Sequence, residues 1–216
     1  MEETKRRRFI IRAVLEGEVD VQEEPQPTRI PIYEWDFTES LLDKKQAQEA
    51  TIAGSGISRT SEGLVMNGAN GGCLLGANVF KPGSTLEVDF ASMSRGGTQH
   101  GRLIMFDNNS DPQASSAPTA GFIFRSNPAG WACFKRAWSA TMNSDSSLFS
   151  GKTLVFKYYQ DDDGYHSDIY CNDTLVGQYT DSSPWNTYGK FPVTIGCAGG
   201  QSYYDCVITA ARIYED

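Results

Sequence analysis

Histidine, long apolar runs and positive charge are all scarce in this chain of 216 residues. Only His100 and His166 occur, each beside small or acidic residues with no evident nucleophile, and there is no G-x-S-x-G motif. The sequence therefore does not indicate a serine-hydrolase type of active site. No apolar stretch approaches the length that a bilayer-spanning segment needs, so membrane insertion is not expected.

Basic residues are outnumbered, with 19 Lys and Arg against 27 Asp and Glu and a formal net charge of -8. A negative surface field repels phosphate backbones, so nucleic acid is not an expected partner. The exception is the run Lys5-Arg6-Arg7-Arg8. It is interpreted as a solvated charge run, with a nucleic-acid site or a basic arm that docks on an acidic protein as the alternatives.

The five cysteines lack the C-x-x-C spacing of metal sites. Cys133, Cys171 and Cys197 lie within apolar strand patterns and are expected to be small core residues with free thiols. No secretory signal is recognised, because Arg12 interrupts the short apolar run near the N-terminus. Both observations favour synthesis in a reducing cytoplasm, while a Cys197–Cys206 bridge across a hairpin is left open.

Short β-strand patterns separated by turn residues fill most of the chain. In residues 153–160, Leu154, Phe156 and Tyr158 alternate with other residues, and the run Asp161-Asp162-Asp163-Gly164 then predicts a hairpin turn. Further strands are predicted over residues 32–37, 64–67, 73–76, 85–93, 102–107, 121–126, 131–135, 165–171, 174–180, 191–197 and 205–214. Many short strands with few helices predict an all-β protein, an antiparallel β-sandwich or jelly roll.

An N-terminal arm, residues 1–31, precedes the predicted sandwich of residues 32–216. The arm combines a basic and apolar segment with a linker rich in Pro and Glu, which is expected to be extended. We expect it to anchor the chain to a partner or to pack on its own domain through Arg6, Arg7, Arg8, Phe9, Ile10 and Ile11. Within the body, only residues 39–50 (ESLLDKKQAQEA) have the composition of a helix.

The opening Trp35-Asp36-Phe37-Thr38-Glu39-Ser40-Leu41-Leu42-Asp43 resembles the start of laminin-G-like modules of the concanavalin A-like lectin/glucanase fold. It looks most like those of bacteriophage structural and fibre proteins. Looser matches are Ser61-Glu62-Gly63-Leu64 and the closing strands of residues 193–196 and 205–214. The resemblance covers roughly residues 32–216, and it implies a lectin-like sandwich in a virion.

Some glucanases of this fold carry an E-x-D-x-x-E strand, and the resemblance places Glu87 and Asp89 at its first two acids. Ser92 stands where the second catalytic Glu would be, and a serine hydroxyl does not serve as a general acid at neutral pH. We therefore expect an ordinary strand with Leu86, Val88 and Phe90 towards the core, and no enzyme activity.

Calcium is the one cofactor that the sequence leaves open. Asp107, Asn109 and Asp111 offer the hard oxygen ligands that calcium prefers, and laminin-G-like modules often hold calcium at the sheet rim. The loop departs from an EF-hand, because Pro112 replaces the glycine of that motif. A polar turn without metal is the favoured interpretation here and at residues 161–164.

Glycan binding would use aromatic rings that stack on sugar C–H groups. The candidates are Trp138, Trp185, Tyr203 and Tyr204, and the two tryptophans lie in loop-like sequence. Core or rim packing is the alternative for each.

Taken together, these features predict a non-catalytic structural or display protein of a bacteriophage virion, such as a head decoration, fibre or tail protein. It would be a homo-oligomer, anchored to other virion proteins through residues 1–31 and made in the host cytoplasm. The alternative is an extracellular or cell-surface carbohydrate-binding module, and a glycoside hydrolase is the third hypothesis.

Overall fold

The computed structural model describes residues 29–69, 71–95, 101–106, 122–126, 131–134, 137–141, 150–184, 190–197 and 204–215. These residues form strands and turns, and none of them lies in a helix. The strands are β1 (Tyr33–Asp36), β2 (Thr51–Gly54), β3 (Ile57–Thr60), β4 (Gly63–Asn67), β5 (Gly71–Phe80), β6 (Ser84–Arg95), β7 (Gly101–Phe106), β8 (Phe122–Ser126), β9 (Trp131–Phe134), β10 (Ala137–Thr141), β11 (Lys152–Asp161), β12 (Gly164–Cys171), β13 (Thr174–Asp181), β14 (Phe191–Cys197) and β15 (Tyr204–Glu215).

Two antiparallel sheets form the predicted sandwich. Sheet I has the order β13-β12-β11-β6-β15-β4-β3, and β1 also pairs with β15. Sheet II has the order β10-β9-β8-β7-β14-β5-β2. The last strand, β15, lies at the centre of sheet I, with β6 along one side and β4 and β1 on the other. Strand β15 therefore joins the β13-β12-β11-β6 part of sheet I to β4, β3 and β1.

The core lies between the sheets and follows from strand alternation. Leu86, Val88 and Phe90 on β6 are buried, and their neighbours Glu87 and Asp89 are only partly so, as predicted. Apolar residues of both sheets meet in one buried cluster.

Aromatic rings join the sheets across this core. Phe106 on β7 lies 4.4 Å from the ring of Phe80 and 5.8 Å from that of Phe156 on β11. Tyr158 contacts Phe191 edge-on at 6.3 Å. Such pairs add to the stabilisation that the burial of their area supplies.

The opening motif supports this core. Trp35 and Phe37 are fully buried. Between them, the Asp36 carboxylate accepts hydrogen bonds from the Thr38 amide at 3.1 Å and the Thr38 hydroxyl at 2.6 Å, and it pairs with Lys44 at 2.9 Å. The hydroxyl and the ammonium hold the pKa of Asp36 below its ordinary range.

The predicted helix over residues 39–50 is wrong. This segment consists of turns and an isolated antiparallel bridge between Leu42 and Glu49. The buried Asp43 explains the difference, since its carboxylate accepts the backbone N–H of Glu34 and a second amide in the following turn. These bonds tie the segment to β1, and tertiary contacts override helix propensity.

The cysteine prediction is partly confirmed. Cys171 is buried in the core, and Cys73 and Cys206 are buried free thiols. The Cys197–Cys206 bridge is therefore not formed. The side chains of Cys133 and Cys197 lie outside the described residues. Burial raises the pKa of the Cys73 and Cys206 thiols to about 12, which makes both unreactive. In the described ranges, we find no helix with the length and apolar character that crossing a membrane requires.

Candidate functional site

The outer face of sheet I, which points away from the core, carries a set of charged and aromatic side chains. They alternate with the core residues along β6, β11, β12 and β15, so the pleat fixes their direction. Together with Gln178 on the neighbouring β13, this outward face includes Glu87, Asp89, Thr153, Val155, Lys157, Tyr159, Asp168, Tyr170, Arg212 and Tyr214.

An arginine lies between the two carboxylates at the centre of this face. Arg212 Nη2 is 2.5 Å from Asp89 Oδ2, and its Nη1 is 3.7 Å from Glu87 Oε2. The hydroxyl of Thr153 donates to Asp89 Oδ1 at 2.6 Å, and that of Tyr214 donates to Glu87 Oε2 at 2.9 Å. Both carboxylates are thus held by a cation and a hydroxyl, an arrangement typical of a structural ion-pair network.

A second cluster, the tyrosine cluster, covers the acid on β12. Asp168 is 5% exposed although it points outward. Its Oδ2 accepts hydrogen bonds from Tyr159 at 3.1 Å and Tyr170 at 3.4 Å, and its Oδ1 accepts one from Gln178 at 3.1 Å. The Lys157 ammonium lies 5.0 Å from the centre of the Tyr170 ring, within cation–π range.

Burial and the nearby Asp168 charge both oppose ionisation of these phenols. They raise the pKa of Tyr159 to about 12 and also raise that of Tyr170. Both tyrosines therefore remain neutral donors at physiological pH, and they keep the buried carboxylate satisfied.

The hairpin turn that follows β11 is as predicted. The Asp161 carboxylate accepts the amide of Asp163 at 2.8 Å and contacts His166 Nε2 at 2.8 Å. These two contacts hold the pKa of Asp161 below its ordinary range. His166 also contacts the Thr180 hydroxyl at 3.1 Å and stacks on Tyr159. Among the described residues, no group of three or more His, Cys, Asp or Glu is arranged to hold a metal ion.

A surface pocket of about 370 Å³ opens at the other end of the same face, between β4, β15 and β6. Two rows of side chains cross its strands in register. The first row is Val65, Val207 and Ser92, and the second is Asn67, Asp205 and Ser94. Met66, Met93, Ser150 and Cys206 complete the lining. The pocket therefore has an apolar strip beside a polar row.

The polar row has unused hydrogen-bonding capacity. In the part of the chain that the structure describes, the Asp205 carboxylate forms neither a hydrogen bond nor an ion pair. Asn67 Oδ1 accepts the Ala69 amide at 3.2 Å, so only its NH₂ group is left for a ligand. Ser94 donates to the Asp205 carbonyl at 3.4 Å, while Ser150 is held by the Met93 backbone at 2.9 Å. Asp205 is the one charged residue among the described residues of the lining. The pocket thus presents a carboxylate, an amide and hydroxyls to a ligand.

Several solved structures are similar to this one. For the apo Crh5 transglycosylase, the TM-score is 0.57 at 11% identity, over 85% of this chain and 83% of that chain. For the metal-free carbohydrate recognition domain of Emp46p, it is 0.56 at 13% identity, over 83% and 97%. A legume lectin-like domain from Entamoeba histolytica gives 0.52 at 12% identity, over 77% and 90%. No protein-family model matches the sequence, and no curated protein matches it significantly.

The chain has the concanavalin A-like lectin fold. At these identities the likeness describes the architecture alone. This fold is the one that the sequence resemblance implied.

The predicted site residues fall largely outside what the structure describes. Trp138 lies in β10 and Tyr204 begins β15, but their side chains are not among the described ones. The loop-like interpretation of Trp138 is wrong at the backbone, because β10 pairs with β9 there. Outside the described residues altogether lie Trp185, Tyr203, Asp107, Asn109, Asp111, Arg6, Arg7, Arg8, Phe9, Ile10 and Ile11.

Sequence reasoning missed the pocket and the tyrosine cluster. Alternation along residues 205–214 places Asp205 and Val207 on one face, so the contribution of β15 to the pocket could be predicted from the sequence. The sequence does not show that β4, β15 and β6 are neighbours, and this adjacency brings together pocket residues that are distant in sequence.

Proposed function

We propose that this chain is a non-catalytic carbohydrate-binding domain. The observation that carries the proposal is the likeness to the carbohydrate recognition domain of Emp46p, which the alignment covers over 97% of its length. A match of that extent means that the whole sandwich is shared rather than a few strands. Since a fold hosts many functions, the chemistry of the surface must support the same conclusion.

The outer face of sheet I supports it. Glycans have hydroxyl groups and apolar C–H faces, so their sites combine carboxylates, amides and hydroxyls with apolar or aromatic surface. The pocket between β4, β15 and β6 has this composition. The net charge of -8 favours neutral partners over phosphate-rich ones.

The absence of catalysis is part of the proposal. Retaining glycoside hydrolysis needs two carboxyl groups about 5–5.5 Å apart, one as nucleophile and one as acid and base. On β6, Glu87 and Asp89 are engaged by Arg212, Tyr214 and Thr153. Ser92 lies instead in the pocket row, where it faces Val207. We expect no hydrolysis of any glycan that binds.

A glycan array tests the proposal. The folded chain should bind a defined subset of glycans, and a heat-unfolded sample should bind none of them. Trp138→Ala and Trp185→Ala variants show whether the aromatic candidates of the sequence contribute. Silence across the array for the folded wild-type chain would count decisively against carbohydrate binding. Release of reducing sugar that Glu87→Gln abolishes would contradict the non-catalytic part.

Display on a larger assembly is compatible with this function, and we propose it as the biological setting. Arg29 lies over the Tyr214 ring at 4.5 Å, and the Ile32 amide donates to the Ile213 carbonyl at 2.8 Å. Arg29 and Ile32 thus tie the start of the described chain to β15. The proposed anchor in a virion-type oligomer is the arm, residues 1–31.

Deletion of residues 1–31 tests that setting. It spares β1, so the body should stay folded by circular dichroism while the oligomer or partner complex dissociates in analytical ultracentrifugation. An unfolded product would instead place the arm in the domain.

A further inference from the structure

The pocket between β4, β15 and β6 has the size and chemistry of a small-ligand site. Its volume of about 370 Å³ lies at the lower end of the range of about 300–1,000 Å³ for such sites. It crosses three adjacent strands, which span about 10 Å. That width suits one or two sugar rings rather than a protein segment.

The two rows of the pocket would contact different parts of a sugar. Val65 and Val207 face each other across the β4–β15 pair and form an apolar strip for the C–H face of a sugar ring. Asn67, Asp205 and Ser94 lie one row further along the strands, within reach of ring hydroxyls. The carboxylate is the strongest acceptor of the set, because charge-assisted hydrogen bonds exceed neutral ones.

Charge selects among sugars. Asp205 is the single charged residue among the described lining, and it has no cation beside it in the described part of the chain. An acidic sugar would bring a second carboxylate next to it, on a chain of net charge -8. Neutral sugars bring only hydroxyl donors.

We propose that this pocket is a binding site for a neutral, uncharged monosaccharide unit of a glycan, with Asp205 as the main acceptor of its hydroxyl groups. The inference rests on the proposed carbohydrate-binding function, and it adds the position of the site and the class of sugar. None of the aromatic residues singled out in the sequence is among the described residues of the lining.

The test compares three variants of the full chain. Val207→Phe fills the pocket from an outward position, and Asp205→Ala removes the acceptor. Val155→Phe is the matched control, because Val155 also points outward from sheet I but lies between Glu87 and Tyr170, at the tyrosine end. Thermal unfolding of each variant verifies that it is folded. If Val207→Phe does not fold, Asp205→Ala still tests the pocket, because Asp205 is exposed and its replacement should not disturb the core.

The measurement is calorimetric or saturation-transfer NMR titration with methyl glycosides of glucose, galactose and mannose, and with glucuronic and N-acetylneuraminic acid. At least one neutral glycoside should bind, and Val207→Phe and Asp205→Ala should each weaken it by about tenfold or more. Val155→Phe should bind as the wild type does. Asp205→Asn should narrow the preference for neutral over acidic sugars.

The outcomes separate the two proposals. Wild-type binding that survives both pocket variants, or that only Val155→Phe removes, would overturn the pocket and leave carbohydrate binding in place. Tighter binding of the acidic sugars would overturn the assigned class. Silence of the wild type towards every glycoside, together with a silent glycan array, would overturn both proposals.

Discussion

Replacement of Asp168 with alanine should destabilise the β11–β13 end of sheet I by about 2–3 kcal/mol. The buried carboxylate accepts hydrogen bonds from Tyr159, Tyr170 and Gln178. Each hydrogen bond to a charged group contributes about 1.5–3 kcal/mol, so complete loss of all three would exceed this figure. We expect less than the sum, because the half-buried phenols and the exposed Gln178 regain bonds to water once the acid is gone.

Urea denaturation of Asp168→Ala beside Asp162→Ala measures this effect. Asp162 is exposed in the neighbouring turn, and its replacement makes the same change in net charge. Ultraviolet titration provides a second reading, since the pKa of Tyr159, which burial and then Asp168 raise to about 12, should fall towards its ordinary value. An equal loss of stability in the two variants, with an unchanged tyrosine titration, would refute the reasoning.

Three other predictions concern the fold. Folding raises the pKa of Tyr159, Tyr170, Tyr179 and Tyr214, so these phenols ionise more easily in the unfolded chain. The free energy of unfolding should therefore keep its full value below about pH 10 and fall as the pH rises towards 12. Urea unfolding measured across this pH range checks the prediction. Phe106→Ala should lower the free energy of unfolding by about 3–5 kcal/mol, because Phe106 is fully buried between the sheets. Gly164→Ala should destabilise far more than Gly151→Ala in thermal denaturation, since a Cβ at Gly164 would lie 2.5 Å from a carbonyl oxygen, whereas at Gly151 nothing lies within 4 Å.

Strand positions were largely predictable because the core is built from alternation. Residues 153–160 show it most clearly, and Leu154, Phe156 and Tyr158 are buried as expected. Three strands were missed, namely β2, β3 and β10. The first two have only four residues each, and mostly exposed ones at β3, so the apolar signal that marks a half-buried strand is nearly absent there.

The candidate site was less predictable, because it depends on which strands are neighbours. Val65 and Ser92 lie opposite Val207 from two different strands, and no local pattern specifies that order. Asp168 is a second case: a single acid within the strand pattern of β12 reads as solvent-facing, and only the register with Tyr159 and Gln178 shows that it is covered.

The opening motif explains why the sequence resemblance was informative about the fold. Trp35 and Phe37 fill the core, and Asp36 fixes the turn that follows them. Arg59 on β3 donates to the carbonyl oxygens of Phe37 and Thr38, which ties the motif to an edge strand of sheet I. Each of these side chains makes its contacts within the domain. A motif of this kind specifies how the sandwich closes, and any protein that uses the sandwich can retain it. The proposed ligand contacts come instead from outward residues such as Asp205, which the motif does not include.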